Sequence, residues 1–135
     1  MRRAAWRGSS PLVAIPSKHS VAVVEDDEAM RNAMRRVLEA EGFVTELFDS
    51  AEAFLASGAG SRAHCLVLDI RLPGMSGIDL HQHLLSTGEI VPTVFITAHD
   101  DGRLRRIATT GTNCCLTKPF LGETLIQAVQ RSIEA

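Results

Sequence analysis

The sequence predicts an α/β fold: a doubly wound, five-stranded parallel sheet with five helices. Three observations carry this expectation. Short apolar runs rich in β-branched residues alternate with longer stretches whose apolar residues recur at helical spacing, the pattern of repeated βα units. The run His64-Cys65-Leu66-Val67-Leu68-Asp69 is almost continuously apolar, as in a central strand buried on both faces, and it ends in one carboxylate. Four of the five strands stop at a polar group, and in a parallel sheet those ends share one edge, where ligands bind.

Taken in order, Val21-Ala22-Val23-Val24 is the first strand, ending in Glu25-Asp26-Asp27-Glu28. Ala29, Met30, Ala33, Met34, Val37 and Leu38 then recur as one helical face, with Asp27 as N-cap and Gly42 as the stop. Residues 43–48 form a second strand, mixed enough to lie near an edge. Ser50 caps a short helix over 51–56. Residues 58–63 superficially fit a glycine-rich dinucleotide fingerprint, but a helix precedes them and a strand follows, the reverse of what that site needs, so they read as a loop. After Asp69, the segment Ile70-Arg71-Leu72-Pro73-Gly74 cannot continue a strand. Ser76 opens a helix carrying Ile78, Leu80, Leu84 and Leu85, and Gly88 ends it. His81 and His83 lie two apart, so they face opposite ways on that helix and cannot share an ion; both read as exposed. Residues 91–96 are the fourth strand, ending at Thr97. Residues 100–110 read as a weak helix, with Gly111 as its C-cap. Residues 113–117 form the fifth strand, ending in Lys118-Pro119-Phe120, and Leu121, Leu125, Ile126, Val129 and Ile133 mark the last helix.

Composition narrows the class. With 45% apolar and 22% charged residues the chain suits one globular domain. A net charge of -2 gives no argument for nucleic acid or an anionic membrane. Arg2, Arg3, Arg7 and Lys18 stand in the first 18 residues without an acid among them, and the remainder nets -6. Residues 1–18 lack periodicity and read as a flexible N-terminal arm, leaving 19–135 as the domain. No apolar run approaches the roughly 18–20 residues that span a bilayer, and no secretory signal is visible, so the default location is cytoplasmic. Cys65, Cys114 and Cys115 fall in predicted strands and read as reduced, buried small hydrophobes rather than a redox pair.

The chemistry lies where the strands end: Glu25 and Asp26, Asp69, Thr97, and Lys118. Three carboxylates brought together repel by several kcal/mol per pair at an effective dielectric near 20. A hard divalent cation bound by oxygen relieves this, and Mg2+ favours a few carboxylates, waters and a substrate phosphate. Metal with phosphate suits phosphoryl transfer, in which Asp69 is the nucleophile, Lys118 a cation for the phosphoryl oxygens and Thr97 a hydroxyl donor.

These residues also stand in a familiar order. Val23-Val24-Glu25-Asp26-Asp27, Val67-Leu68-Asp69-Ile70-Arg71-Leu72-Pro73-Gly74-Met75-Ser76-Gly77, Phe95-Ile96-Thr97-Ala98-His99 and Lys118-Pro119-Phe120 together resemble the receiver domain of bacterial two-component response regulators, most closely the FixJ type, over about residues 20–134. The resemblance implies the flavodoxin-like strand order 2-1-3-4-5. It implies Asp69 as phosphoacceptor; Asp26, Asp69 and the Arg71 backbone carbonyl as Mg2+ ligands; and Glu25 acting through a bound water. Thr97 and Lys118 would contact the phosphoryl group, and the Lys118–Pro119 bond would be cis. The phosphoryl donor would be a sensor histidine kinase or phosphotransfer protein, the chain catalysing only its own phosphorylation and dephosphorylation and not otherwise an enzyme. A downstream protein, an output domain removed from this chain, or a homodimer are the further partners implied; neither nucleic acid nor membrane is expected to bind this chain directly.

The chain departs from that pattern at Cys115, three residues before Lys118, where receivers usually carry the aromatic that works with Thr97 as a switch. Thr112 stands where alanine is usual. An altered switch keeps a second reading open: a phosphorylation-independent adaptor that binds its partner whether or not Asp69 is modified. An aspartyl phosphatase of the haloacid dehalogenase type would need a second Asp two positions after the nucleophile, where Arg71 stands.

Overall fold

In the computed structural model, described over residues 19–98 and 113–134, five strands form one parallel sheet in the order β2-β1-β3-β4-β5. The elements are β1 (Ser20–Val24), α1 (Glu28–Ala40), β2 (Val44–Phe48), α2 (Ala51–Ser57), β3 (Cys65–Asp69), α3 (Gly77–Ser86), β4 (Thr93–Thr97), β5 (Cys114–Thr117) and α4 (Gly122–Glu134). The expected strand order is present, and strands and helices alternate as expected on either side of the gap between β4 and β5. Four α-helices occur among the described residues; the weak helix read over 100–110 lies outside them, as do Gly111, Thr112 and the arm over 1–18.

The side-chain period of two sorts the strands onto two cores. Ala22, Val24, Leu66, Leu68 and Phe95 face one way, against Phe54 of α2 and Leu80 and Leu84 of α3. Val21, Val23, Val67, Val94 and Ile96 face the other, against Met34 and Leu38 of α1 and Leu125 and Val129 of α4. Helices therefore cover both faces, which is why the central strands β1, β3 and β4 read as unbroken apolar runs. β2 lies at one edge, and its half-buried residues explain its mixed composition.

The helix starts are where the sequence puts them. Asp27 Oδ1 accepts from the amides of Ala29 (3.0 Å) and Met30 (3.4 Å). Ser50 Oγ accepts from Ala53 N at 3.0 Å, and Ser76 Oγ from Asp79 N at 3.1 Å. Each bond satisfies an amide that has no partner within the helix. Gly42, past the end of α1, has φ 94°, a backbone conformation that favours glycine.

Three expectations need correction. Residues 58–63 are not irregular throughout: Ala59–Ser61 make one turn of 3-10 helix, with Ala59 buried under the sheet. His81 is buried rather than exposed. Its position continues the stripe Gly77, Leu80, Leu84 that α3 lays on the sheet, and its ring meets Phe95 edge-on with centroids 5.1 Å apart. The cost of burying a polar ring is offset by a hydrogen bond between His81 Nε2 and Asn113 Nδ2 at 3.1 Å. His83 is exposed as expected. Among the cysteines, all unbridged, only Cys65 is buried; Cys114 and Cys115 are half-buried because β5 is an edge strand. Burial pushes the Cys65 thiol up to about 12 and the Cys114 thiol upward as well, which keeps both protonated at neutral pH.

Candidate functional site

The site is assembled at the carboxyl rim of the sheet, from the residues that follow β1, β3, β4 and β5. Strand register brings them level: Val24 lies opposite Leu68, Asp69 opposite Ile96, and Thr97 opposite Thr117. One residue past β1, the Glu25 amide still bonds to Phe48 O of β2 at 3.0 Å, so the Glu25 side chain is held inside, 1% exposed. Asp69 ends β3 at 5% exposure and Thr97 ends β4 at 3%, while Asp26 faces solvent.

Lys118 completes the cluster. Its amide donates to Thr97 O at 2.7 Å, one step past the β4–β5 ladder, and the Lys118–Pro119 peptide is cis, as expected. The ammonium Nζ donates to Glu25 Oε1 at 3.1 Å and to Asp69 Oδ2 at 3.0 Å. The other carboxylate oxygens are also engaged. Glu25 Oε2 accepts from Asp27 N at 3.1 Å, and Asp69 Oδ1 from Arg71 N at 3.0 Å. One ammonium is thus shared by two carboxylates that lie 93 and 49 positions before it in sequence.

Burial and neighbours tune these groups unequally. Desolvation raises the Glu25 carboxyl to about 7; the Asp27 amide opposes this, the Asp69 charge adds to it, and Lys118 opposes it. Burial alone would lower the Lys118 ammonium, but its bond to and charge attraction from Asp69, then those from Glu25, outweigh that, and its pKa is raised. The Glu25 shift has a stability consequence with a definite sign. A carboxyl whose folded pKa lies above its unfolded value contributes stability below about 4.5 that is lost as pH rises through about 7. The metal-free protein, relative to its Glu25→Gln variant, is therefore expected to lose on the order of 3 kcal/mol between those two pH values. Urea denaturation of both proteins across that range checks it, and parallel curves would refute it. The variant comparison is needed because burial lowers the His81 pKa, which makes that group favour stability as pH rises over part of the same window.

The cluster fits a hard cation. Carboxylate oxygens of Glu25, Asp26 and Asp69 all lie within 4.8 Å of one another, close to the ~4.2 Å that separates opposite ligands of an octahedral Mg2+. The donors are all oxygen, with no thiol or imidazole among the three, which disfavours a soft metal. Both Glu25 oxygens already hold strong donors, whereas Asp26 is open to solvent. On this count direct ligation suits Asp26 better than Glu25, while Asp69, whose two oxygens also hold donors, would have to exchange one of them for the ion.

Three residues that shape the site escaped the sequence reading. Arg31, in the first turns of α1, donates from Nη1 to Glu25 O at 2.8 Å and ties down the β1–α1 turn. Its place five residues after Asp26 was the only signal. Gly77 lies against the backbone of β3: a Cβ there would stand 2.3 Å from Asp69 O and 2.9 Å from Ile70 Cα. Glu52 of α2 reaches across to the β3–α3 turn, where Oε2 accepts from Met75 N at 2.9 Å.

Comparison with known proteins agrees with this geometry. The family model described as "Response regulator receiver domain" matches residues 21–130. Nodulation protein W of Bradyrhizobium diazoefficiens is 36% identical over 130 residues, covering 96% of this chain and 57% of that protein. Transcriptional regulatory protein FixJ of Rhizobium meliloti is 34% identical over 117 residues, 86% of this chain and 57% of that protein. The chain thus spans little more than half the length of either. Among solved structures, FixJ-N is 32% identical with a TM-score of 0.79, covering 88% of this chain and 96% of that one. The BeF3-activated DrrB receiver domain is 25% identical with a TM-score of 0.78, covering 88% and 100%. Sheet order, rim residues and the matched span converge on one assignment: this chain belongs to the receiver domain family of two-component response regulators.

Proposed function

We propose that the chain is a phosphoacceptor that takes a phosphoryl group from a histidine kinase onto Asp69 with Mg2+, and that it acts as a signalling domain rather than a turnover enzyme. The observation that carries this reading is the ammonium of Lys118 bridging Asp69 Oδ2 and Glu25 Oε1 beside Asp26, at the rim where a parallel sheet receives ligands. An Asp69 oxygen forms the new bond to phosphorus as the P–N bond of a phosphohistidine breaks, and the leaving nitrogen keeps the electron pair. Lys118 is already paired to the acceptor, so its charge can follow the phosphoryl oxygens as they arrive. Thr97, on the neighbouring strand end, offers its hydroxyl to the same group. Asp26, Asp69 and the Arg71 carbonyl would hold Mg2+, with Glu25 acting through water. The chemistry such an ion would supply when bound is to spread the negative charge shared by the Asp69 carboxylate and the phosphoryl oxygens that approach it.

Treating the chain with acetyl phosphate and Mg2+ and weighing it intact tests the proposal. One phosphoryl group is expected on the parent and none on Asp69→Asn. Equal mass gain in both proteins would overturn it.

Cys115 bears on the readout. It lies opposite Phe95 in register and packs into the core shared with α2 and α3. A side chain this small cannot sweep between an inner and an outer position as an aromatic ring would. The adaptor reading predicts that an Asp69→Ala variant binds its partner as well as the parent does.

A further inference from the structure

The turn between β3 and α3 is anchored at three places. Ile70 and Leu72 are buried in the core, leaving Arg71 exposed between them. Near Asp69, the Arg71 amide is held on Asp69 Oδ1 at 3.0 Å, and Gly77 N closes the turn on Ile70 O at 2.9 Å. The third anchor comes from outside the turn. Glu52 Oε2, on α2, accepts from Met75 N at 2.9 Å, across 23 residues of sequence.

Two features mark this last contact as a fitted one. Gly74 has φ 76°, and a Cβ on it would stand 2.7 Å from Glu52 Oε2, so the carboxylate lies close against the bare glycine face and a side chain there would have to push it aside. The Met75 amide, first among its neighbours, holds the exposed Glu52 carboxyl below its ordinary range, so it is ionised at neutral pH. Exposure also means that the strut adds little to global stability; what it holds is the course of the turn.

We propose that Glu52 is a positioning residue for the cation site: its bond to Met75 sets the course of the 70–76 turn, and through it the Arg71 carbonyl. The inference rests on the reading above that Arg71 supplies a Mg2+ ligand. A misplaced backbone ligand weakens cation binding without removing any group that contacts the phosphoryl. Outer partners of metal ligands commonly account for 10-fold or more in affinity.

The test is a Mg2+ titration of the full chain, following the Arg71 amide by NMR, in the parent, Glu52→Ala and Glu52→Gln. Glu52→Ala is expected to raise the Mg2+ Kd about 10-fold. The rate of phosphoryl uptake from acetyl phosphate at saturating Mg2+ should stay within about twofold of the parent, a KM-type rather than a kcat-type effect. Glu52→Gln keeps an oxygen acceptor and should recover most of the affinity. In the metal-free parent the Met75 amide resonance should move as acid protonates Glu52, and in Glu52→Ala it should not. A parent that binds Mg2+ and is phosphorylated, with a Glu52→Ala Kd within twofold of it, would overturn this inference alone. A parent that neither binds Mg2+ nor gains a phosphoryl group would overturn the function and the inference together.

Discussion

Lys118→Ala should slow phosphoryl uptake by a factor of about 10²–10³ while leaving Mg2+ affinity equal to or higher than that of the parent. The two effects have opposite signs for one reason. Lys118 Nζ lies 3.1 Å from Glu25 Oε1 and 3.0 Å from Asp69 Oδ2, so before reaction it competes with a divalent cation for the same oxygens. On the proposed reading it is, during transfer, the side-chain cation of this chain paired to the acceptor and nearest the arriving phosphoryl oxygens. Removing it deletes the competitor and the transition-state partner together. Breaking a buried ion pair usually costs about 3–5 kcal/mol of stability. Here the loss should be smaller, because Glu25, raised to about 7, can take up a proton in place of the ammonium. Lys118→Arg should not restore the rate: a planar guanidinium cannot place one point charge between two carboxylates as an ammonium does. Initial rates by intact mass at saturating Mg2+ check the first effect and an NMR Mg2+ titration the second. A rate within threefold of the parent would sink the assigned role.

Gly77→Ala should destabilise the fold by roughly 2–4 kcal/mol and cut phosphoryl uptake as well. Intrinsic preference argues the other way, since alanine favours a helix over glycine by about 1 kcal/mol. Sterics prevail because the added carbon would meet backbone rather than a movable side chain: Asp69 O at 2.3 Å and Asp69 C at 3.0 Å. Either α3 shifts outward or the end of β3 gives way, and the second option moves the acceptor itself. Gly88→Ala is the control. Gly88 has φ 84° but open space around its missing Cβ, so only backbone strain of about 1–2 kcal/mol applies. Urea denaturation of both variants, with m unchanged, separates the two mechanisms. Equal losses at the two positions would show that crowding at Asp69 is not the cause.

Much of this molecule is decided locally. The apolar runs of β1, β3 and β4, the caps Asp27, Ser50 and Ser76, and the polar residues that close the strands follow from period, propensity and turn chemistry over a few neighbours. A parallel sheet then brings Glu25, Asp26, Asp69, Thr97 and Lys118 to one rim by topology alone, so the candidate site was legible before any distance was known. Tertiary packing decided what local pattern could not. His81 looked like a surface residue until α3 lay on Phe95, and Asn113 then gave its ring a partner. Nothing near Gly77 in sequence shows why a Cβ is excluded there; the β3 backbone that passes beneath it does. Nothing beside Glu52 or Arg31 in sequence marks them out, yet each holds a turn at the site through a bond made in the folded chain. The division has one physical cause: backbone conformation is chosen by neighbours in sequence, whereas the surroundings of a side chain are set by whichever segments of the chain pack beside it.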